Sequence, residues 1–444
     1  MSHDSLIPRE IPFRTLERGG AVLAVALLLI VLGVAAVFLT GEPARLWSGL
    51  LFNWLFWSAL AMGMVVFAVA LHITDASWAW SLRRFALAGA AFLPVSFVLM
   101  PIITYFGREH LFHHWLHAEG DPVIDAKRAW LNLPGLMARD LIAVGILYAL
   151  ALAFVYFSLR PDLRDAGGQS HRSLYGAFTG GWRGAAGEAR HSKRMLNRLA
   201  PLLALLYAVV FGIVAIDLAM SLAPHWFSTM FPVAYFVTGF HGALAAVAIA
   251  ATLLRRPLGI EEFIAPRQYH DLGKLVFAFS VFWMYLNWSQ YIVIWYGQLP
   301  FEQEYFARRL GEPFGAVASA VVLLVFLLPF FGLLTRPPKK VPGVLAFFSV
   351  LILVGHWLER YLLVVPSLYE GAGHGVAGGA AHAALPLGLP EIGLGLGFLG
   401  VFVALYLWFL RTFPVLPSAA MVASEPDPLA ALPATSPRPA AHRL

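Results

Sequence analysis

Ionisable side chains within apolar stretches are the residues of this sequence that could carry out chemistry. Asp217, His241, His356 and Glu359 each lie in a run of mostly apolar residues. Such a group is costly in a membrane helix, so it usually faces the protein interior, finds a partner and marks a pathway or site. His356, Glu359 and Arg360 follow i, i+3, i+4 spacing, which places them on one helix face. The pattern is typical of a site that handles protons or a ligand.

The depth of these groups along their runs predicts a proton path across the molecule. His72 and Asp75 come at the inner end of the second run, and Tyr285 and Gln290 lie in an aromatic run that can bridge between helices. The proton-path candidates are Asp217, His241, His356, Glu359, Arg360, His72, Asp75, Tyr285 and Gln290. An equally supported interpretation is that Arg360 forms a structural ion pair with Glu359 or Asp217.

The histidines of the sequence are also candidate ligands for a haem or a metal ion. Two mid-membrane histidines on different helices, His241 and His356, can ligate a b-type haem, although such proteins usually carry paired histidines for two haems. In the segment 110–117, histidines at 110, 113, 114 and 117 follow i, i+3, i+4, i+7 spacing, which is compatible with a metal site. Leu, Phe and Trp fill the other face, so an interfacial amphipathic helix is the simpler interpretation. We predict no metal, and the role of this cluster stays open.

The elements that position these groups must be membrane-spanning helices. Apolar residues make up 59% of the 444 and charged residues only 13%, too few to cover a soluble surface. A span needs about 20 apolar residues. Ten runs qualify: 20–40, 50–72, 86–106, 136–159, 201–222, 231–253, 272–298, 313–334, 343–365 and 391–412. The sequence predicts an all-α polytopic membrane protein of about ten transmembrane helices.

Charge asymmetry predicts the orientation of these helices. With the N-terminus inside, 23 of the 31 Lys and Arg residues fall on the inner side, the positive-inside pattern. This places both termini on the cytoplasmic side of a multi-pass inner-membrane protein and explains the basic pI without a nucleic-acid partner. The predicted segments are a cytoplasmic N-terminal segment at 1–19, a transmembrane domain at 20–412 with an outer loop at 107–135 and an inner loop at 160–200, and a disordered cytoplasmic tail at 413–444.

The chain contains no cysteine. It therefore cannot ligate an iron–sulfur cluster by thiolate, attach a c-type haem or form a disulfide. We predict that the chain binds no redox cofactor of its own.

Several stretches resemble one known family. They read DLAMSLAPHWFSTM at 217–230, YHDLGKLVFAFSVFWMYLNWSQYIVIWYGQLPFEQEYFARR at 269–309, DPVIDAKRAWLNLP at 121–134 and WAWSLRR at 78–84. Together they resemble the F subunit of bacterial alternative complex III. That subunit is related to polysulfide-reductase-type membrane anchors, which pack two four-helix bundles flanked by outer helices. One departure is Leu218, where family members commonly have Trp, while the series Ser221, Pro224, His225 and Trp226 is kept.

The resemblance implies a role in a respiratory chain. It implies a membrane subunit of a quinol:cytochrome c oxidoreductase that gives structural support and takes part in a proton path or contacts a quinone, with quinone-binding residues unassigned. The implied partners are a paralogous quinol-binding membrane subunit, an iron–sulfur subunit, haem c subunits, lipid and a terminal oxidase; menaquinol or ubiquinol is the implied substrate of the complex. A ten-helix secondary transporter and a haem b electron carrier remain alternatives.

Overall fold

The long apolar stretches of the sequence form long helices. A computed structural model describes residues 14–17, 19–163, 172–369 and 385–417, and all regular structure in these ranges is helical. We label the long helices in chain order: α1 Gly20–Leu39, α2 Pro43–Ile73, α3 Ser77–Phe106, α4 Leu133–Leu163, α5 Ala185–Leu218, α6 Met230–Leu254, α7 Pro266–Gly297, α8 Gly315–Gly332, α9 Pro342–Leu368 and α10 Leu389–Thr412. The protein is therefore an all-α polytopic membrane protein, as predicted.

The number of membrane crossings follows from where the described chain begins and ends. Nine of these helices are long and apolar enough to span a membrane; α7 is the exception, because polar side chains interrupt it. The amide of Leu16 donates to Leu410 O at 3.0 Å, and that of Val415 donates to Arg14 O at 2.9 Å. Chain ends on the same side require an even number of crossings. The 32 residues of α7 extend about 48 Å, enough to supply the tenth.

The helices form two four-helix bundles that share an interface. In the first bundle, α2, α3, α4 and α5 pack around a ring; in the second, α6 and α9 pack together and are flanked by α7 and α8. The two bundles meet where α2 packs against α6 and α9, and almost every residue in the apolar part of α2 is buried. The pair α1 and α10 flanks this double bundle.

Loops and short helices gather at the two ends of the bundles. We call one end the histidine end; it contains residues 107–132, 219–229 and 298–314. The opposite terminal end contains the segments 14–17 and 413–417. Lys127 Nζ donates to Pro224 O at 2.6 Å, which ties two loops of the histidine end together.

Some helices begin earlier than predicted, and the first residues of the predicted tail are packed against the protein. Helix α2 begins seven residues earlier than predicted and α5 sixteen residues earlier, so helix fills part of the predicted inner loop, as does the short helix Arg172–Phe178. Phe413, Val415 and Leu416 are buried, so the first residues of the predicted tail are packed. Residues 1–13, 18, 164–171, 370–384 and 418–444, which include most of the predicted N-terminal segment and tail, lie outside the described residues.

The predicted amphipathic helix at the histidine end was wrong. Residues 108–116 form two separate one-turn helices, Arg108–Leu111 and His113–Leu116, which are separated at Phe112. Phe112 is fully buried together with Leu111, and this anchor interrupts the helical periodicity. The four histidines of this segment therefore do not share one helix face.

Small residues allow α1 and α10 to cross at backbone contact. A Cβ atom added to Gly33 would lie 2.3 Å from the Cα of Gly397, and one added to Gly393 would lie 2.6 Å from the Cβ of Ala36. Gly393 and Gly397 have the spacing of the GxxxG motif, which lets membrane helices approach closely. In lipid the hydrophobic effect does not favour contact between two apolar helices. The close van der Waals packing against α10 therefore holds α1 to the bundle.

We expect Gly397→Leu to separate α1 from α10, because the leucine side chain must occupy the space of the Gly33 backbone. Overpacking of this kind costs about 1–3 kcal/mol of stability, which thermal denaturation of the purified protein in detergent measures. Gly20→Leu is the control, since no heavy atom lies within 4 Å of a Cβ added there. Equal denaturation midpoints for the two variants would contradict this account of the α1–α10 contact.

Candidate functional site

Three helices bring the interior histidines and Glu359 into one hydrogen-bonded series. His356 Nδ1 lies 3.0 Å from Glu359 Oε2, and His356 Nε2 lies 3.0 Å from His241 Nδ1. His241 Nε2 lies 3.2 Å from Ser280 Oγ, and Trp283 Nε1 donates to Glu359 Oε1 at 3.0 Å. Helix α6 supplies His241, α7 supplies Ser280 and Trp283, and α9 supplies the other two. We call these five residues the histidine relay.

Local sequence explains why the relay forms here. His356 and Glu359 are one helical turn apart on α9, so their side chains meet directly. Gly242 leaves room beside His241: a Cβ added to it would lie 3.8 Å from His356 Cδ2. All five side chains of the relay are buried, and Glu359 is the most exposed at 9%. Bulk water is therefore kept away from the series.

The hydrogen bonds of the relay can point in two directions. With Glu359 ionised, His356 donates from Nδ1 to Glu359, His241 donates from Nδ1 to His356, and Ser280 donates to His241. With one proton added, Glu359 donates to His356 Nδ1, His356 Nε2–H donates to His241, and His241 Nε2–H faces Ser280. Each imidazole is engaged through both ring nitrogens, so one proton taken up at His241 Nε2 is matched by one delivered to Glu359. Both rings then carry their proton on Nε2 and must return to the Nδ1–H form before the next transfer. The arrangement is competent for proton transfer between Ser280 and Glu359.

Arg360 does not form the ion pair that the sequence suggested. In the described part of the chain, its guanidinium donates from Nη2 to Tyr235 O at 3.0 Å and lies 4.0 Å above the Tyr235 ring centroid. Its Nε and Nη1 atoms have no hydrogen-bond partner there. The guanidinium of Arg360 acts electrostatically on Glu359. The hydrogen bonds of the Glu359 carboxylate, however, are formed with His356 and Trp283.

A cavity of about 470 Å³ lies beside the relay. Glu359, Arg360 and Gln290 provide polar lining, and most of the remaining wall is aromatic or aliphatic. Towards the histidine end the cavity meets a layer made by Trp226 and Tyr305, whose rings stack with centroids 3.6 Å apart.

Arg309 completes this layer and borders a second pocket. Its guanidinium lies 3.4 Å above the Tyr305 ring and donates to Ser367 Oγ at 2.6 Å. Burial lowers the pKa of Arg309 from its ordinary value and raises that of the Tyr305 hydroxyl. Beyond the layer, a pocket of about 200 Å³ at the histidine end is lined by charged groups including Asp121, His225, Glu304 and Arg308.

Asp217 occupies a separate site in the first bundle. Its carboxylate accepts hydrogen bonds from Trp130 Nε1 and Arg139 Nε, each at 2.7 Å, and the side chain is fully buried. Arg139 also lies 3.8 Å above the Trp130 ring centroid. A second buried carboxyl group, Asp140, interacts electrostatically with Asp217 and Arg139. Asp217 is thus held by an arginine on α4 and not by Arg360.

The remaining predicted residues are spread over the molecule. His72 donates from Nε2 to Asn197 Oδ1 at 2.8 Å near the terminal end, and exposed Asp75 adopts a positive φ of 45° in the following turn. Gln290 is buried, accepts from Ser228 Oγ at 3.1 Å and lines the cavity. Tyr285 is 61% exposed and is not brought to the relay.

The distances between the histidines and their partners test the haem and metal-site interpretations. His241 and His356 bond directly to each other, with ring centroids 4.9 Å apart, which leaves no space between them for an iron and its macrocycle. At the histidine end, His117 bonds to Glu109 at 2.8 Å and His114 to Ser367 O at 3.0 Å. Among the described residues, no three His, Asp or Glu side chains converge as metal ligands.

Sequence reasoning missed several partners of the site. Ser280 and Trp283 complete the relay, and Trp130, Arg139 and Asp140 complete the Asp217 site. One signal was present: Ser280 and Trp283 lie one helical turn apart within the long stretch that carries the family resemblance. Arg139 and Asp140 lie in the first turn of the fourth predicted run, 136–159, and were not recognised as buried.

Neither the family models nor the curated proteins include a relative of this chain. The function of the site is therefore inferred from its geometry and from the four sequence stretches that resemble the F subunit.

We expect Arg139→Gln to destabilise the protein by about 3–5 kcal/mol, because it leaves the Asp217 carboxylate buried without its charged partner. The double variant Arg139→Gln with Asp217→Asn should recover much of this loss, since the buried charge is then removed as well. Thermal or denaturant unfolding of the purified protein measures both.

Arg308→Gln is the control for this pair. Arg308 and Glu304 form an exposed ion pair, and loss of such a pair changes stability by about 1 kcal/mol or less. If the double variant were no more stable than Arg139→Gln alone, the Arg139–Asp217 pair would not be the source of the effect.

Proposed function

We propose that this chain is an integral membrane subunit of a bacterial respiratory quinol:cytochrome c oxidoreductase, without a redox cofactor of its own, and that it provides a proton half-path. The observation that carries the proposal is the histidine relay, in which both nitrogens of two buried imidazoles connect Ser280 to Glu359. Buried ionisable groups in membrane helices mark proton relays. The resemblance to the F subunit of alternative complex III supplies the respiratory context.

The half-path opens towards the histidine end. Glu359 lines the interior cavity, and only the layer of Trp226, Tyr305 and Arg309 separates that cavity from the charged pocket at the histidine end. The positive-inside pattern puts this end on the outer face of the inner membrane and both termini in the cytoplasm. A proton that reaches Glu359 therefore has a short remaining distance to the outer aqueous phase.

The surface of α7 supports assembly with other subunits or with lipid. Tyr285, Trp288, Trp295 and Tyr296 are each about half exposed or more. A row of large aromatic side chains on a membrane helix favours contact with lipid or another transmembrane chain. We propose that the same complex contains a paralogous quinol-binding membrane subunit, an iron–sulfur subunit and haem c subunits.

We expect the chain to purify from its native membrane with redox subunits. Extraction in a mild detergent through a C-terminal tag, followed by native mass spectrometry, should show an assembly that contains a multihaem c-type cytochrome and an iron–sulfur protein. A chain that purifies alone, or that moves a solute when reconstituted by itself, would contradict the proposed role and favour secondary transport.

We expect Glu359→Gln to lower proton release coupled to quinol oxidation by at least about tenfold, in line with the 10²–10⁴-fold contribution of a positioned acid–base group. The glutamine cannot carry the transferred proton, yet its amide still bonds to Trp283 and His356, so assembly should persist. Proton release to the outside of proteoliposomes that contain the complex measures the effect.

Glu119→Gln is the matched control, because it makes the same carboxylate-to-amide change at an exposed side chain of the histidine end that lines neither the cavity nor the pocket. Wild-type proton stoichiometry in Glu359→Gln would rule out the half-path. Loss of the assembled complex in that variant would instead indicate a structural role for Glu359.

A further inference from the structure

The cavity beside the relay has the dimensions and lining of a ligand site. Its volume of about 470 Å³ falls within the roughly 300–1,000 Å³ of small-molecule pockets, which are mainly apolar with few polar groups. Helices α6, α7, α8 and α9 all contribute to it. The aromatic side chains that line it include Trp226, Phe231, Tyr235, Trp283, Tyr291 and Tyr305.

Arg360 gives the cavity an unused donor. The side chain is 1% exposed, lines the cavity, and presents Nε and Nη1 without a hydrogen-bond partner in the described part of the chain. A buried polar group without a partner is costly, and the cost is larger for a charged one. An acceptor oxygen brought by a ligand would satisfy these two N–H groups.

The shape and chemistry of the walls favour a ring over a lipid chain. Flat aromatic faces gain from offset stacking against another ring, whereas an acyl chain needs only aliphatic surface. Trp288, about half exposed, lies in the wall on α7, so the cavity reaches the lipid-facing surface of the molecule. A ligand that arrives through the bilayer can therefore enter from the side.

We propose that this cavity binds the head group of a lipid-soluble quinone or quinol, with a ring oxygen accepting from Arg360. The proposal rests on the proposed function and deepens it, because a quinol hydroxyl bound here would lie next to Glu359 and the histidine relay. It assigns binding alone, with no electron transfer at this site. Gln290, which bonds to Ser228, provides a further polar group in the wall.

The test measures binding of decyl-ubiquinone to the full chain in phosphatidylcholine nanodiscs, followed by quenching of tryptophan fluorescence. Ala318→Phe should weaken binding by at least about tenfold, because Ala318 lines the cavity and its replacement fills it. Arg360→Met should weaken binding by roughly 10–150-fold, the factor that corresponds to one hydrogen bond from a charged donor.

Ser319→Phe is the matched control, since it adds the same side chain at the next, exposed position of α8. Wild-type affinity in Ser319→Phe and weak binding in Ala318→Phe would support the proposal even where Arg360→Met fails to fold. Equal quinone affinity in all variants, or no quinone binding by the wild type, would overturn it. So would oleate binding that Ala318→Phe abolishes in a chain that does not bind quinone, because the site would then be one for lipid carboxylates.

This measurement is independent of the test of the proposed function. A chain that binds quinone but purifies without redox subunits would keep the site and lose the respiratory role. A chain that purifies with those subunits but binds no quinone would lose only the site.

Discussion

The structure depends on satisfying one carboxylate inside the membrane. Glu359 lies where no bulk water reaches it, so every hydrogen bond it needs must come from the protein. Trp283 on α7 and His356 on its own helix provide these bonds. His356 must then be satisfied in turn, which requires His241 on α6, and His241 requires Ser280 on α7. One buried charge thereby fixes the mutual position of three helices.

The helical framework makes this chain of bonds geometrically feasible. Helix α2 is buried along nearly its whole apolar length and carries α6 and α9 on one side and the first bundle on the other. Glycines let these helices approach: a Cβ added to Gly239 would lie 3.0 Å from the Cβ of Ala59 on α2, and one added to Gly63 would lie 2.5 Å from Gly239 O. Close approach by α2 and α6 keeps α6 near α9. The 3.0 Å contact between two imidazoles on different helices needs a framework of this rigidity.

The sequence was sufficient for much of the fold and for part of the site. Apolar run length predicts the long helices, because each membrane span needs about 20 apolar residues. The rarity of buried charge singles out His241, His356 and Glu359. The hydrogen-bond partners of these residues could not be predicted from the sequence, because they depend on the rotation and depth of each helix in the membrane. Arg360 was a candidate ion-pair partner of Glu359 or Asp217, but it bonds to Tyr235 O instead. Neighbouring residues on a helix, such as Glu359 and Arg360, point about 100° apart. Tyr285 was expected near the relay, but the rotation of α7 turns Ser280 and Trp283 inward and Tyr285 outward.

Asp217 and Glu359, two of the buried carboxylates, differ in the partners that surround them. Asp217 bonds to the guanidinium of Arg139 and lies beside a second buried carboxyl group, Asp140. Glu359 bonds to an imidazole and an indole, and the guanidinium of Arg360 acts on it electrostatically without a hydrogen bond. From the sequence alone the two residues cannot be told apart, since both are acidic residues in the outer halves of predicted membrane helices. Their partners distinguish them: the Arg139–Asp217 pair joins α4 to α5, whereas the histidine beside Glu359 connects it to His241 on α6.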